Sequence, residues 1–272
     1  MPELPEVEIT RRGLEAAIVG KRVKNAIVRR RSLRWAIPQS LSRKLAGREI
    51  AAVRRRGKYL IVDLEGGALI MHLGMSGSLR VVNGNSPANS HEHFDLALAD
   101  GTCVRLRDPR RFGAVLWTAR DPLRHPLLVN LGPEPLSREF DARMLYFKTR
   151  GKSAPIKNVL MDSRVIAGVG NIYANEALFR ARISPQTRAG KLSMPRLEKL
   201  ASAIVKTLRL AIASGGTTLR DFTASDGELG CFQTKCFVYD RDGERCLMCC
   251  AIIRCIRQSG RASYYCPRCQ RV

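Results

Sequence analysis

The chain has 272 residues, with 47 Lys and Arg against 24 Asp and Glu, a formal net charge of +23, and 45% hydrophobic residues. That length suits one large domain or two ordinary ones, and the apolar content excludes wholesale disorder. No apolar run approaches the roughly 18 residues of a membrane span, and MPELPEVEIT lacks both the basic and the apolar region of a secretory signal. The expectation is a soluble cytoplasmic protein with no membrane partner. A charge of +23 points to a polyanion, most often nucleic acid.

Residues 5–18 read as a helix: Pro5 suits a first turn, Val7, Leu14, Ala17 and Ile18 share a face, and Gly20 ends it. From about 21 to 118 the pattern changes to short strands: KRVKNAIV, EIAAVRR, KYLIVDL, ALIMHLG, SLRVV, FDLALA, CVRLR and FGAVLW. Turn signals at Gly66-Gly67, Asn83-Gly84 and Asp100-Gly101 separate many of them, and LALADGTCVRL has the form of a hairpin. So many short strands in about 100 residues predict an antiparallel sandwich or barrel. After LGPEPL the pattern turns helical. Ser137 is a candidate cap for a helix to about Lys148, Pro155 opens a short helix, and Asn171 to Arg180 forms another. The clearest is 194–213, with Leu197, Leu200, Ile204, Leu208 and Ala211 in one stripe and Gly215-Gly216 behind it. Hairpin chemistry returns at the end, with Asp242-Gly243 before the first cysteine pair.

Of nine cysteines, all but Cys103 follow residue 230. Cys246-x2-Cys249 and Cys266-x2-Cys269 are 16 residues apart, the spacing of two chelating turns joined by a hairpin. Four thiolates make a closed tetrahedral site, so one structural Zn2+ is expected. Cys103, Cys231, Cys236, Cys250 and Cys255 are expected not to be ligands. Residues 231–272 carry eight basic and three acidic side chains, and Arg261 near the hairpin tip suits phosphate contact.

Pro2 follows Met1 directly, and a small second residue favours Met1 removal. That would leave a secondary amine, partly neutral near neutral pH, beside the carboxylates of Glu3 and Glu6. Such an amine can attack an electrophilic sugar carbon, and a neighbouring carboxyl can donate a proton to the leaving oxygen. Most chain termini are inert, so the residues alone do not decide this.

PELPEVE at 2–8, HLGMSGSLR at 72–80, DPRRFG at 108–113, GVGNIYANE at 168–176, GGTTLRDF at 215–222 and QSGRASYYCPRC at 258–269 occur in order. Together with the cysteine spacing they closely resemble bacterial formamidopyrimidine-DNA glycosylase. The resemblance implies an α+β fold: an N-terminal antiparallel β-sandwich with an N-terminal helix (1–133), a helix–two-turns–helix domain with a lesion loop (134–230) and a β-hairpin zinc finger (231–272). It implies excision of oxidised purines, 8-oxoguanine and formamidopyrimidines, from duplex DNA, then cleavage at the abasic site by a monomeric enzyme of base excision repair. Pro2 would be the nucleophile and Glu3 the general acid, with Lys58 catalytic or phosphate-binding and Glu6 supporting the N-terminal region. His72, Lys157, Asn171 and Arg261 would grip phosphates around the lesion, with Arg261 also at the catalytic step. Met75, Arg110 and Phe112 would fill the void left by the flipped base. Loop 217–230 would fold over the flipped base, with Arg220 as a DNA-binding residue where relatives often carry Lys.

Two other readings compete. Endonuclease VIII removes oxidised pyrimidines by the same chemistry, but tends to begin PEGPE; Leu4 and Met75 favour the purine enzyme. A non-catalytic zinc-dependent DNA binder explains the charge and the cysteines but not Pro2-Glu3 or the wedge. There is no HExxH and no Walker loop, and GVGN lacks the third glycine of a dinucleotide fingerprint.

Overall fold

The computed structural model of the protein describes residues 1–217 and 232–271. The fold is α+β and forms two compact units. One holds residues 1–130 and 214–217, the other 131–213 and 232–271.

In the first unit, α1 (Leu4–Ile18) precedes eight strands: β1 (Val23–Val28), β2 (Ile50–Arg56), β3 (Tyr59–Leu64), β4 (Gly67–His72), β5 (Ser78–Asn83), β6 (Glu92–Leu98), β7 (Thr102–Arg107) and β8 (Ala114–Thr118). A short α2 (Leu41–Leu45) lies between β1 and β2. The strands make two antiparallel four-stranded sheets, ordered β1-β6-β7-β5 and β2-β3-β4-β8. Side chains two apart enter one core from both sheets: Leu60, Val62 and Leu64; Phe94, Leu96 and Leu98; Val104 and Leu106. Val7, Leu14 and Ile18 of α1 join them. The expected sandwich is present. The Asp100-Gly101 signal closes the β6–β7 hairpin, with Gly101 left-handed at φ 87°. Asn83-Gly84 does not close a hairpin with the next strand, because β5 pairs with β7.

The second unit contains α3 (Ala142–Thr149), α4 (Ile156–Leu160), α5 (Asn171–Arg180), α6 (Met194–Ala213) and the hairpin β9 (Arg254–Gln258)–β10 (Arg261–Tyr265). The predicted stripe of α6 is buried throughout. The helix expected from Ser137 starts later, because the Asp141 side chain accepts from the Met144 N–H at 2.7 Å and caps α3. Ser137 instead accepts from the Glu139 N–H in a preceding turn. No described helix is long and apolar enough to cross a membrane.

Candidate functional site

The first unit gathers chemistry around the start of the chain. Pro2, Glu3 and Glu6 are buried. The Glu6 carboxylate accepts from the Glu3 N–H at 2.9 Å through Oε2, tying down the first turn of α1. Its other oxygen, Oε1, accepts from the Thr217 N–H at 3.0 Å and the Thr217 hydroxyl at 2.9 Å. Glu6 therefore joins the start of the chain to residues 216–217. Gly216, at φ 78°, lets that backbone approach the carboxylate. Burial lowers the pKa of the Met1 α-amine; Glu3 and Glu6 oppose this, and Lys58 and Arg110 reinforce it. The amine thus sits in the field of four of the residues singled out in the sequence. With Met1 in place, the Pro2 nitrogen is an amide and has no nucleophilic lone pair.

Lys58 occupies the two-residue turn between β2 and β3, closed by the Arg56–Tyr59 pair. His72 ends β4, with its ring 4.7 Å from that of Tyr59. Its Nδ1 accepts from the Gly74 N–H at 3.0 Å, so in the neutral ring Nε2 carries the proton. Burial first, then the charges of Lys58 and Arg34, push the His72 pKa down to about 4. His72 is a neutral donor near pH 7.

Met75 and Phe112 are not core residues. They are 40% and 42% exposed, on two loops that touch. Gly74, at φ 65°, lies against the backbone of Phe112 and Gly113, and any Cβ there would collide with it. The strand expected from Phe112 begins only at Ala114. Residues 109–113 form a loop organised by Asp108. This fully buried carboxylate accepts from the Gly113 N–H at 2.7 Å and the Arg111 N–H at 3.0 Å, while Arg111 is held left-handed at φ 58°. The Arg110 guanidinium stacks 5.3 Å from the Phe112 ring. Arg34, which no motif marked, donates its N–H to the Gly113 carbonyl at 3.3 Å and reaches His72 by charge.

In the second unit, Ser259 and Gly260 have φ of 47° and 76°, the two-residue turn that presents exposed Arg261 at the hairpin tip. Lys157 lies beneath the hairpin that carries Arg261. It is fully buried, and its ammonium donates to the Ala262 carbonyl at 2.6 Å and the Ser263 hydroxyl at 2.7 Å. Lys157 holds the hairpin next to Arg261. Asn158 adds a bond from Nδ2 to the Ser259 hydroxyl at 2.9 Å. Asn171 is the first residue of α5, not its cap; extended Gly170 is the cap, and Asn171 Oδ1 has no hydrogen-bond partner among the described residues. Two buried residues of α5 were missed by sequence reasoning. Glu176 accepts from the N–H groups of Phe237, Val238 and Tyr239 at 2.9 Å each, and Asn175 accepts from the Tyr264 N–H at 2.9 Å. Their helical periodicity marks a buried face, but nothing local marks so distant a partner.

Cys246, Cys249, Cys266 and Cys269 have all four Sγ atoms within 4.8 Å of one another. Cys249 and Cys266 are 3.4 Å apart, and Cys246 and Cys269 4.0 Å. Ligand bonds of about 2.3 Å in a tetrahedron require sulfurs about 3.8 Å apart, so the set fits a metal ion. The Met248 and Cys269 N–H groups point at Cys246 and Cys266 Sγ, at 3.5 and 3.4 Å, and would stabilise thiolates. Among the described residues, Cys246 and Cys266 share a small buried cluster with Phe179, Val238 and Ile253, against which Phe237, Ala251 and Tyr264 pack. So small a core needs reinforcement, which a metal provides. Cys103, Cys236, Cys250 and Cys255 stand outside the cluster. Arg220 and Cys231 lie outside the described residues.

Residues 1–115 match the formamidopyrimidine-DNA glycosylase N-terminal domain, and residues 131–223 match that family's H2TH domain. The chain belongs to the formamidopyrimidine-DNA glycosylase family. It is 55% identical to the formamidopyrimidine-DNA glycosylase of Stutzerimonas stutzeri and 53% identical to that of Methylococcus capsulatus, over 271 residues and all of each chain. Among solved structures it is similar to the Fpg protein of Thermus thermophilus (TM-score 0.89, 38% identity, 99% of this chain and 98% of that one). It is likewise similar to Lactococcus lactis Fpg in complex with abasic-site DNA (TM-score 0.91, 34% identity, 99% and 100%).

Proposed function

We propose that this protein is a bifunctional DNA glycosylase and abasic-site lyase of base excision repair. Its substrates are oxidised purines, 8-oxoguanine and formamidopyrimidines, in duplex DNA. The observation that carries the reading is the setting of the chain start: Pro2, Glu3 and Glu6 are buried together, and the Met1 α-amine lies in the field of Glu3, Glu6, Lys58 and Arg110. A Lactococcus relative solved with a formamidopyrimidine-containing DNA supports the substrate class.

Removal of Met1 would make Pro2 a secondary amine in that setting. Its nitrogen bonds to C1′ as the glycosidic bond breaks and the base leaves with a proton. Glu3 protonates O4′ as the sugar ring opens and the iminium forms. The cationic iminium draws electrons, so the C2′ proton is lost and the 3′ phosphate leaves. Loss of the C4′ proton then expels the 5′ phosphate. Hydrolysis of the remaining iminium by water frees Pro2 and leaves the sugar remnant as an aldehyde. Only the neutral form of the amine attacks. Lys58 and neutral His72 serve the phosphates of the damaged strand. Met75 and Phe112 fill the opened step, and Arg110 offers a planar donor pair to the orphaned cytosine. Arg261 grips the phosphate at the lesion. The metal is one structural Zn2+ on the four cysteines and takes no part in the chemistry. Excess positive charge supplies salt-sensitive, sequence-independent search, and the protein works as a cytoplasmic monomer, at the nucleoid through its DNA.

Borohydride trapping tests this reading. Protein with a processed N-terminus should form a covalent adduct with an 8-oxoguanine:C duplex, and mass spectrometry should place it on Pro2. No adduct, or an adduct elsewhere, refutes the amine mechanism. Faster cleavage of thymine glycol:A than of 8-oxoguanine:C refutes the substrate assignment.

A further inference from the structure

The second unit contains a cleft of about 700 Å³ that the proposed function does not use. Its floor is aromatic: the Phe179 and Phe237 rings stack 5.1 Å apart at 20°. One wall is the end of α5 with Arg180 and Arg182, and another is the exposed face of α6 with Lys199, Ser202 and Lys206. The rim is Met248, from the turn between Cys246 and Cys249. Met248 is 62% exposed and its neighbour Leu247 is 66% exposed, so this cysteine turn pushes two large apolar side chains into solvent. Chelation needs the backbone of the turn but neither side chain.

The charges around the cleft are unbalanced. Some arginines elsewhere have acid partners: Arg11, Arg12 and Arg55 share Glu8, and Arg105 pairs with Asp95 and Glu92. Among the described residues no ion pair engages Arg180, Arg182, Lys199 or Lys206, although Glu198 also lines the cleft. The Arg180 guanidinium lies 4.8 Å over the Phe237 ring, and its buried Nε has no hydrogen-bond partner among the described residues. Arg180 also lies in the field of buried Glu176, yet with no ion pair among the described residues its flat guanidinium on an aromatic face can receive a carboxylate. Arg268 and Arg271 border the adjoining depression, which shares Arg182, Met248 and Cys269 with the cleft.

We propose that this cleft is a docking site for an acidic peptide segment of a partner protein, anchored by a large apolar side chain between Met248 and the Phe179–Phe237 stack. Both halves are needed to fit the walls. A phosphate backbone would satisfy the cations but leave Met248 and the aromatic floor uncovered, and a purely apolar segment would strand four cations. Cavities of 300–1,000 Å³ suit a few side chains. The cysteine turns lie at the opposite end of the β9–β10 hairpin from Arg261, separated by the five residues of β10 and so by about 13 Å. The site stays accessible while the hairpin tip holds DNA.

The test uses the full-length zinc-loaded protein and fluorescence anisotropy. The probe is a labelled twelve-residue peptide of Asp and Glu with a central Phe-Leu pair. Its controls are the same peptide with Ser-Ser in the centre, oligo-aspartate of equal charge, and an undamaged 20-base-pair duplex as competitor. The Phe-Leu peptide should bind at least tenfold more tightly than either peptide control, and saturating duplex should leave most of it bound. Lys199→Glu with Lys206→Glu on the solvent face of α6, and separately Met248→Ser, should each weaken it about tenfold with borohydride trapping unchanged. Equal binding of all three peptides, displacement by duplex, or no loss in the α6 variant overturns the proposal. The α6 variant leaves the cysteine module intact, so loss of metal in Met248→Ser cannot mask the outcome.

Discussion

His72 offers a sharp test, because its environment fixes both its charge and the sign of a pH effect. Burial and the charges of Lys58 and Arg34 bring its pKa to about 4, against an unfolded value near 6.5. As pH falls, the unfolded chain takes up this proton first. The native state is favoured fully above about 6.5, and that advantage is lost as pH falls toward 4. At pH 4.5 the linkage amounts to at most about 2.5 kcal/mol, less whatever solvent screening removes from a partly buried ring. His72→Gln, which does not titrate, should therefore lose less stability than the parent between pH 7.5 and 4.5. Urea denaturation of both proteins at both pH values gives the difference, and cysteine protonation in the second unit cancels from it. A matching measurement follows the imidazole resonances. At pH 7 only about one His72 in a thousand is protonated. Its replacement should weaken DNA binding without changing the salt slope, whereas Arg261→Gln should lower that slope by about 0.9. An imidazole midpoint near 6.5, or a salt slope that falls equally in both variants, would falsify the assignment of His72 as a neutral donor.

Asp108→Ala strands the buried N–H of Gly113 and the partly buried N–H of Arg111, at about 1–3 kcal/mol each, and frees the loop that carries Arg110 and Phe112. Excision of 8-oxoguanine should fall at least tenfold while cleavage of a preformed abasic site changes far less; equal losses would contradict a role through the wedge. Pro2→Gly should spare lesion binding far more than catalysis, and parallel losses in gel-shift and cleavage assays would count against the nucleophile. Chelation should release about one zinc per chain, read by a colorimetric dye, and should weaken DNA binding. Normal binding by metal-free protein would contradict the structural role. Lys157→Met should loosen the hairpin, seen as faster amide exchange at Ala262 and Ser263; unchanged exchange would leave the buried ammonium without its assigned role.

Local rules made much of the molecule legible. The apolar period of 194–213 located α6, and Pro155 located α4. Asp100-Gly101 located the β6–β7 hairpin, and the cysteine spacing located a four-sulfur cluster. Each depends on chemistry contained within a few neighbouring residues or one hairpin. Ser137 failed as a helix start because two acceptors competed, and the one placed to reach an N3 N–H, Asp141, prevailed. Lys157 was legible as important but not as buried. Its partners are about 105 residues away, and no local pattern reports such a bond. Arg34, Glu176 and Asn158 were missed for the same reason, whereas Asp108 bonds within its own loop and was missed as its organiser.

The sequence by itself determined most of the elements, the net charge of +23 and the four-cysteine set, because those follow from composition, period and spacing; the family came from the resemblance of its ordered motifs. Tertiary structure alone decided how the candidate groups are used. It placed Met75 and Phe112 on exposed touching loops rather than in strands, and made His72 neutral through burial. It also turned Lys157 inward against the hairpin, and gathered four cations around Phe179 and Phe237. The physical reason is common to all four. A side chain's charge state and reach depend on what lies around it in space, and those neighbours come from distant parts of the chain.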